Sequence, residues 1–119
     1  MSRPLTEQEL HNLAMNLVGE ELKLDGYEFM GVNSKLKKNP QFVCLKDKIL
    51  HFIIVRHVAY PEDPRTFDEA LVKKVKEHAD KFEAKTYYAG VGLSNAKDRN
   101  APVLLNQEYI VDYQGLIPF

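Results

Sequence analysis

The stretch QFVCLKDKILHFIIVRHV, Gln41 to Val58, decides the fold because it predicts two adjacent strands, at residues 41–46 and 49–58. The second strand carries apolar residues on both of its faces: Ile49, Ile53 and Val55 on one, and Leu50, Phe52, Ile54 and Val58 on the other. This pattern is typical of a central strand in a sheet that is covered on both sides. Arg56 follows Ile54 by two positions and therefore shares its face, so a charged residue lies within an apolar strand.

Helices are predicted on either side of this hairpin. The segment TEQE is a capping box that predicts a helix over residues 6–24, and Gly26 is a natural stop for it. The segment YEFMGVN after this helix alternates loosely between apolar and polar residues and predicts a strand. A second capping box, TFDE starting at Thr66, predicts an amphipathic helix over residues 67–83.

The last third of the chain predicts a return to strand structure. The segment KTYYAGVGL predicts a strand, and VLLNQEYIVDY predicts a short helix followed by a final strand. A hairpin followed by a helix and a returning strand implies a mixed sheet. We therefore predict one α/β domain over residues 1–119, with a mixed β-sheet flanked by helices.

Composition narrows the classes of function. The chain has 119 residues, a formal net charge of -1 and one cysteine, Cys44. A near-neutral chain has no global basic field for nucleic acid, so any such site must be a local patch. One cysteine forms neither an internal disulfide nor an iron–sulfur site. No apolar run approaches the roughly 20 residues of a membrane helix, and no signal peptide is visible. We expect a cytoplasmic protein without cofactors.

The central stretch also resembles a known family. The string GY…N…PQFVCLKDKILHFIIVRH, followed by a lysine-rich amphipathic helix, resembles the core of the PD-(D/E)xK nuclease superfamily, the restriction-endonuclease-like fold. Within that superfamily it is most similar to the small bacterial YraN-like branch, whose strands read approximately G-E-I-D-L-I-A-x-D-x-x-x-L-V-F-V-E-V-K. The resemblance covers residues 10–93, and its matching apolar positions are Phe42, Val43, Leu50, Phe52, Ile53 and Val55. It implies a restriction-endonuclease-like core.

The resemblance also implies a nuclease site, which this chain does not retain. In an ungapped alignment the family's aspartate falls on Gln41, its glutamate on Ile54 and its lysine on Arg56. In the family the carboxylates hold a divalent cation and the lysine helps orient or activate a water. Isoleucine offers no ligand atom, and arginine stays protonated and cannot act as a base. A helix glutamate of the family would match Glu20 only if the first helix were shifted.

Two interpretations of Ile54 and Arg56 stay open. They are either the remnant of a catalytic pair, or a central strand whose end reaches solvent. Metal-dependent cleavage at this position is not expected, and we predict neither a catalytic residue nor a metal ligand. In the nuclease-derived interpretation, Gln41, Ile54 and Arg56 are vestigial positions.

Three functions follow as alternatives. The first is a non-catalytic protein that binds nucleic acid through a vestigial cleft, with contacts predicted from Arg56, Lys35, Lys37 and Lys38. The second is a protein-interaction or homodimeric domain with no nucleic-acid role, which the near-neutral net charge favours. The third is a residual metal-dependent nuclease that would use Glu20 and Gln41.

Overall fold

The computed structural model describes residues 3–35 and 39–119 and forms a mixed sheet with helices on both faces. The elements of the described residues follow in chain order: α1 (Glu7–Leu24), β1 (Glu28–Val32), β2 (Phe42–Lys46), β3 (Ile49–Ala59), α2 (Glu69–Asp80), β4 (Lys85–Asn95), β5 (Tyr109–Asp112) and β6 (Ile117–Pro118). The predicted α/β class and the mixed sheet flanked by helices are confirmed. The nuclease ancestry stays a prediction.

The sheet has the spatial order β1-β2-β3-β4-β5, and β6 also pairs with β4. The pairs β1–β2 and β2–β3 are antiparallel, β3–β4 is parallel, and β5 and β6 are antiparallel to β4. The hairpin predicted from the central stretch forms, and its turn residues Asp47 and Lys48 both have positive φ. Positive φ at both positions is what a two-residue type I′ hairpin turn requires.

Two cores lie on opposite faces of β3, as its two apolar faces predict. Ile53 and Val55 pack with buried residues of α1, including Val18. Phe52 and Ile54 pack on the other face with buried residues of α2. Side chains alternate along a strand, so α1 and α2 cover opposite faces of the same sheet. The strand carrying the predicted site is therefore enclosed over most of its length.

The second helix is shorter than its predicted range of residues 67–83. Its N-cap is Asp68, whose Oδ1 accepts hydrogen bonds from the backbone N–H groups of Ala70 at 3.0 Å and Leu71 at 3.2 Å. Aspartate is as favourable an N-cap as serine or threonine. The observed cap lies two residues beyond the predicted Thr66. The positive φ of Glu83 then closes the C-terminal end.

The short helix predicted within VLLNQEYIVDY does not form. Instead, Leu105 N–H donates to the Arg3 carbonyl at 2.7 Å, and Leu104 forms an isolated bridge with Pro4. The backbone groups that would have started a helix are thus used in pairing with the N-terminal residues. The final strand forms as β5, and β6 is an additional strand in the tail that local pattern did not indicate.

Candidate nucleic-acid interface

Gln41 is fully buried where β2 begins beside β3. Its backbone N–H donates to the Ile53 carbonyl at 3.0 Å, and its side-chain Oε1 accepts from the Val55 N–H at 2.7 Å. The side-chain amide thereby satisfies a β3 backbone donor that lies beyond the end of the β2 ladder. A buried backbone N–H needs such a partner, which gives Gln41 a structural role.

Asn39 joins Gln41 to Arg56. The Asn39 Oδ1 accepts from Gln41 Nε2 at 3.0 Å and from Arg56 Nη2 at 2.7 Å. Arg56 Nη1 donates to the Val55 carbonyl at 2.8 Å. We call Asn39, Gln41 and Arg56 the Arg56 cluster. Through these hydrogen bonds, Asn39 and Gln41, which precede β2, are connected to the central strand β3.

The Arg56 guanidinium is partly buried. Burial lowers its pKa, while Tyr88 and Asp68 nearby act in the opposite direction. Arginine nevertheless stays protonated in proteins, so the positive charge is retained. Within residues 3–35 and 39–119, Arg56 has no carboxylate at ion-pair distance. The site therefore carries a partly desolvated positive charge whose hydrogen-bond partners are neutral.

Ile54 is part of the hydrophobic core. It is fully buried and packs with the side chains that α2 and β4 direct to this face, including Val75 and Tyr88. The position that the resemblance aligns with the glutamate of the nuclease superfamily thus contributes only a hydrocarbon side chain to the core. A charged residue can follow Ile54 on the same face because the hydrophobic core ends between Ile54 and Arg56.

A loop covers the sheet beside Arg56. In the β3–β4 register Arg56 lies opposite Gly90. A Cβ at Gly90 would overlap the carbonyl oxygen of Pro64, so the loop packs directly on the strand. Glycine is needed here because the loop backbone approaches β4 so closely. Access to the guanidinium from the β4 side is correspondingly restricted.

The other predicted site residues do not all meet at Arg56. Glu20 is exposed on α1 and lines a groove with Lys23 and Phe29, on the opposite side of the sheet from Ile54. Lys35 is exposed in the loop that ends at Asn39. The predicted contacts Lys37 and Lys38 lie outside the described residues. No group of three or more His, Cys, Asp or Glu suited to a metal ion occurs in the described part of the chain.

Three titratable side chains near the sheet, those of Cys44, His11 and His51, are buried. Burial raises the pKa of the Cys44 thiol to about 11, so this side chain is a neutral thiol at physiological pH. Burial also lowers the pKa of both His11 and His51. Nε2 of His11 and Nδ1 of His51 are buried without a hydrogen-bond partner among the described residues. These groups belong to the core on the α1 side.

Sequence reasoning missed Asn39, the residue that connects the loop to the guanidinium. Its only signal is its position, a polar residue before Pro40 at the end of a basic loop. Hydrogen bonding between Asn39 and Arg56 spans 17 residues. A local pattern cannot reveal such a contact, because it depends on which residue of β3 lies beside Asn39 in the folded chain.

The helices in the described ranges include none that is long and apolar enough to cross a membrane. In comparisons with known proteins, the family model described as "Domain of unknown function (DUF8840)" matches residues 8–119, and the chain therefore belongs to this family. No curated protein and no solved structure matches the chain significantly.

Proposed function

We propose that this member of the DUF8840 family is a non-catalytic protein that binds the phosphates of nucleic acid through Arg56 and the basic loop before β2. The proposal includes a nuclease-like ancestry, in which the cleft has lost its catalytic carboxylates and kept a positive charge. Three lines of reasoning support it: the charge state of Arg56, its connection to the loop, and the chemistry of the aligned positions.

The observation that carries the proposal is a partly buried guanidinium with no carboxylate at ion-pair distance in the described ranges. A guanidinium has five N–H donors. The hydrogen bonds to Asn39 and Val55 use one donor on each terminal nitrogen of Arg56. Phosphate oxygens are strong acceptors that pair well with the remaining donors, and they would supply the missing negative charge.

The aligned positions support binding without cleavage. Mg²⁺ requires oxygen ligands and usually one or two carboxylates. Oε1 of Gln41 accepts the Val55 N–H, and Ile54 contributes only hydrocarbon. The third alternative, a residual nuclease, would need Glu20 and Gln41 at one metal, yet Glu20 lines a groove on the α1 side. The chemistry therefore favours a binder over an enzyme.

Fluorescence anisotropy with labelled duplex, branched and single-stranded nucleic acid tests this proposal, at low and moderate salt and with or without Mg²⁺. We expect salt-sensitive binding without cleavage, weakened by Arg56→Gln and by Lys35→Gln. The matched control is Lys85→Gln, which removes an exposed positive charge at the start of β4, opposite His51 and five residues before the level of Arg56. Circular dichroism melting checks that each variant folds. Absence of binding by the wild type at low salt would overturn the proposal.

The second candidate function is a homodimeric or protein-interaction domain. A specific observation favours it, since every residue of β1 is exposed although the strand is rich in apolar side chains. Exposed contiguous apolar surface is a feature of interaction sites. Sedimentation of the purified protein over a range of concentrations tests this candidate. A monomer at all concentrations would remove the homodimeric form of it.

A further inference from the structure

A groove of about 580 Å³ runs between α1 and β1, on the sheet face opposite Arg56. Its apolar floor and wall come from Met15, Phe29, Val32 and Phe42. Gly19 lines the groove where α1 lies close to the Phe42 ring, and a Cβ at this position would lie 3.3 Å from that ring. A larger residue at this position would crowd Phe42.

Exposed apolar residues occur on β1 and at the end of α1. Met30 is 56% exposed, Val32 is 60% exposed, and Leu24 at the end of α1 is 85% exposed. A register shift between Phe29 and Gly31 places Phe29 and Val32 on the same face, although they are three residues apart. The bulge thereby gathers apolar side chains on the groove side of β1.

The charges that line the groove are balanced. Glu20 and Lys23 both line it, one turn apart on α1. Within the described residues, neither makes a salt bridge. The other polar residues of the lining, including Asn12 and Asn16, are neutral. The groove is therefore lined by both apolar and polar side chains, and its lining includes one negative and one positive side chain.

We propose that this groove and the exposed residues beside it bind a second copy of the chain. In this arrangement two α1 helices cross antiparallel about a two-fold axis, so that Glu20 meets the partner subunit's Lys23 and Lys23 meets the partner subunit's Glu20. An isologous interface needs a surface that is complementary to itself, and an opposite pair on one helix face satisfies that need twice. This inference rests on the second candidate function and is independent of the phosphate site.

Two features favour a second copy over other occupants. Nucleic acid would need a net positive surface, and Glu20 and Lys23 cancel one another in the lining. Extension of the sheet through β1 is also disfavoured, because this strand is short and bulged. Bulges at edge strands oppose continuous pairing with another edge. Packing through the face formed by α1 and β1 uses the exposed apolar residues without requiring a continuous ladder.

Complementary charge variants test the arrangement. Glu20→Lys should place a lysine opposite the partner subunit's Lys23 at both symmetric contacts, and Lys23→Glu should place two acids together. Each variant alone should self-associate about tenfold more weakly or worse, measured by analytical ultracentrifugation. An equimolar mixture of the two variants should recover association, because every contact is then between opposite charges. The matched control Glu21→Lys makes the same charge change on α1 outside the groove lining.

Each outcome of this experiment either supports or overturns the dimer. Loss of association in each single variant and recovery in the mixture support it, provided that Glu21→Lys associates like the wild type. A dimer that is equally stable in all variants would overturn the inference and leave a homodimer through another surface. A wild type that stays monomeric up to about 100 μM would overturn both the inference and the homodimeric candidate function.

Discussion

Substitution of Ile54 by glutamate tests whether the position aligned with the nuclease acid is truly core. Ile54 is fully buried between β3 and α2, where its described neighbours include Val75 and Tyr88. Ile54→Glu removes a buried hydrocarbon side chain and introduces a carboxyl group among apolar neighbours. Arg56 lies two residues along the strand and on the same face.

The expected loss of stability in Ile54→Glu has two contributions. Full burial of an isoleucine side chain stabilises a protein by about 1.5–3 kcal/mol. A buried carboxyl group without partners, even when it is protonated, costs about 1–3 kcal/mol more. We therefore expect the unfolding free energy to fall by roughly 2.5–6 kcal/mol, a large part of the 5–15 kcal/mol typical of a domain. At about 4 °C per kcal/mol, the melting temperature should fall by more than about 10 °C.

Urea denaturation at pH 5 and pH 8 measures this effect, with Ile54→Gln as the uncharged control. Burial raises the pKa of the introduced carboxyl in the folded state, so the folded protein keeps this proton to a higher pH than the unfolded chain does. The difference between the two variants should therefore widen as pH rises. An Ile54→Glu protein as stable as the wild type at pH 8 would refute the assignment of Ile54 to the core.

Three further predictions concern packing and protonation. Gly90→Ala should lower the unfolding free energy by about 1–3 kcal/mol or more, because the added Cβ would overlap the carbonyl oxygen of Pro64. In the same urea titration Gly31→Ala should be nearly neutral, because a Cβ at Gly31 would lie 3.9 Å from its nearest neighbour, the Cβ of Val43. Gln41→Met should cost about 1–3 kcal/mol by leaving a buried β3 N–H unpaired, and equal stability would contradict the assigned hydrogen bond. Burial lowers the pKa of His11 and His51 in the folded state. Below the histidine pKa of about 6.5, the unfolded chain therefore binds more protons than the folded protein does. The melting temperature should accordingly fall as pH falls from 7 to 5. A flat profile would contradict their burial.

The central elements could be predicted because their signals are local. The apolar faces of β3 determine which side chains meet α1 and α2, since alternation along a strand requires only the sequence. The capping box at Thr6 is present, with Glu9 N–H donating to Thr6 Oγ1 at 3.1 Å and the Thr6 N–H donating to Glu9 Oε1 at 2.9 Å. These interactions join residues three positions apart, so tertiary structure does not alter them.

The features that could not be predicted depend on contacts distant in sequence. The helix expected near Leu104 is replaced by pairing with Pro4, at the other end of the chain. The exposure of β1 follows from its position at the sheet edge, which the strand pattern alone does not determine. Likewise, the role of Gln41 as an acceptor for Val55 becomes visible only once the start of β2 is placed beside β3.

The salt dependence of binding tests the proposed phosphate contact of Arg56 most directly. For wild type and Arg56→Gln, the dissociation constant of a labelled duplex is measured from about 50 to about 300 mM salt in the presence of Mg²⁺, and the DNA is then examined for cleavage. Each phosphate contact contributes a slope of about 0.9 in log K against log salt. We predict intact DNA and a slope reduced by about one in Arg56→Gln. Equal slopes for the two proteins, or Mg²⁺-dependent cleavage by the wild type, would contradict a non-catalytic phosphate site at Arg56.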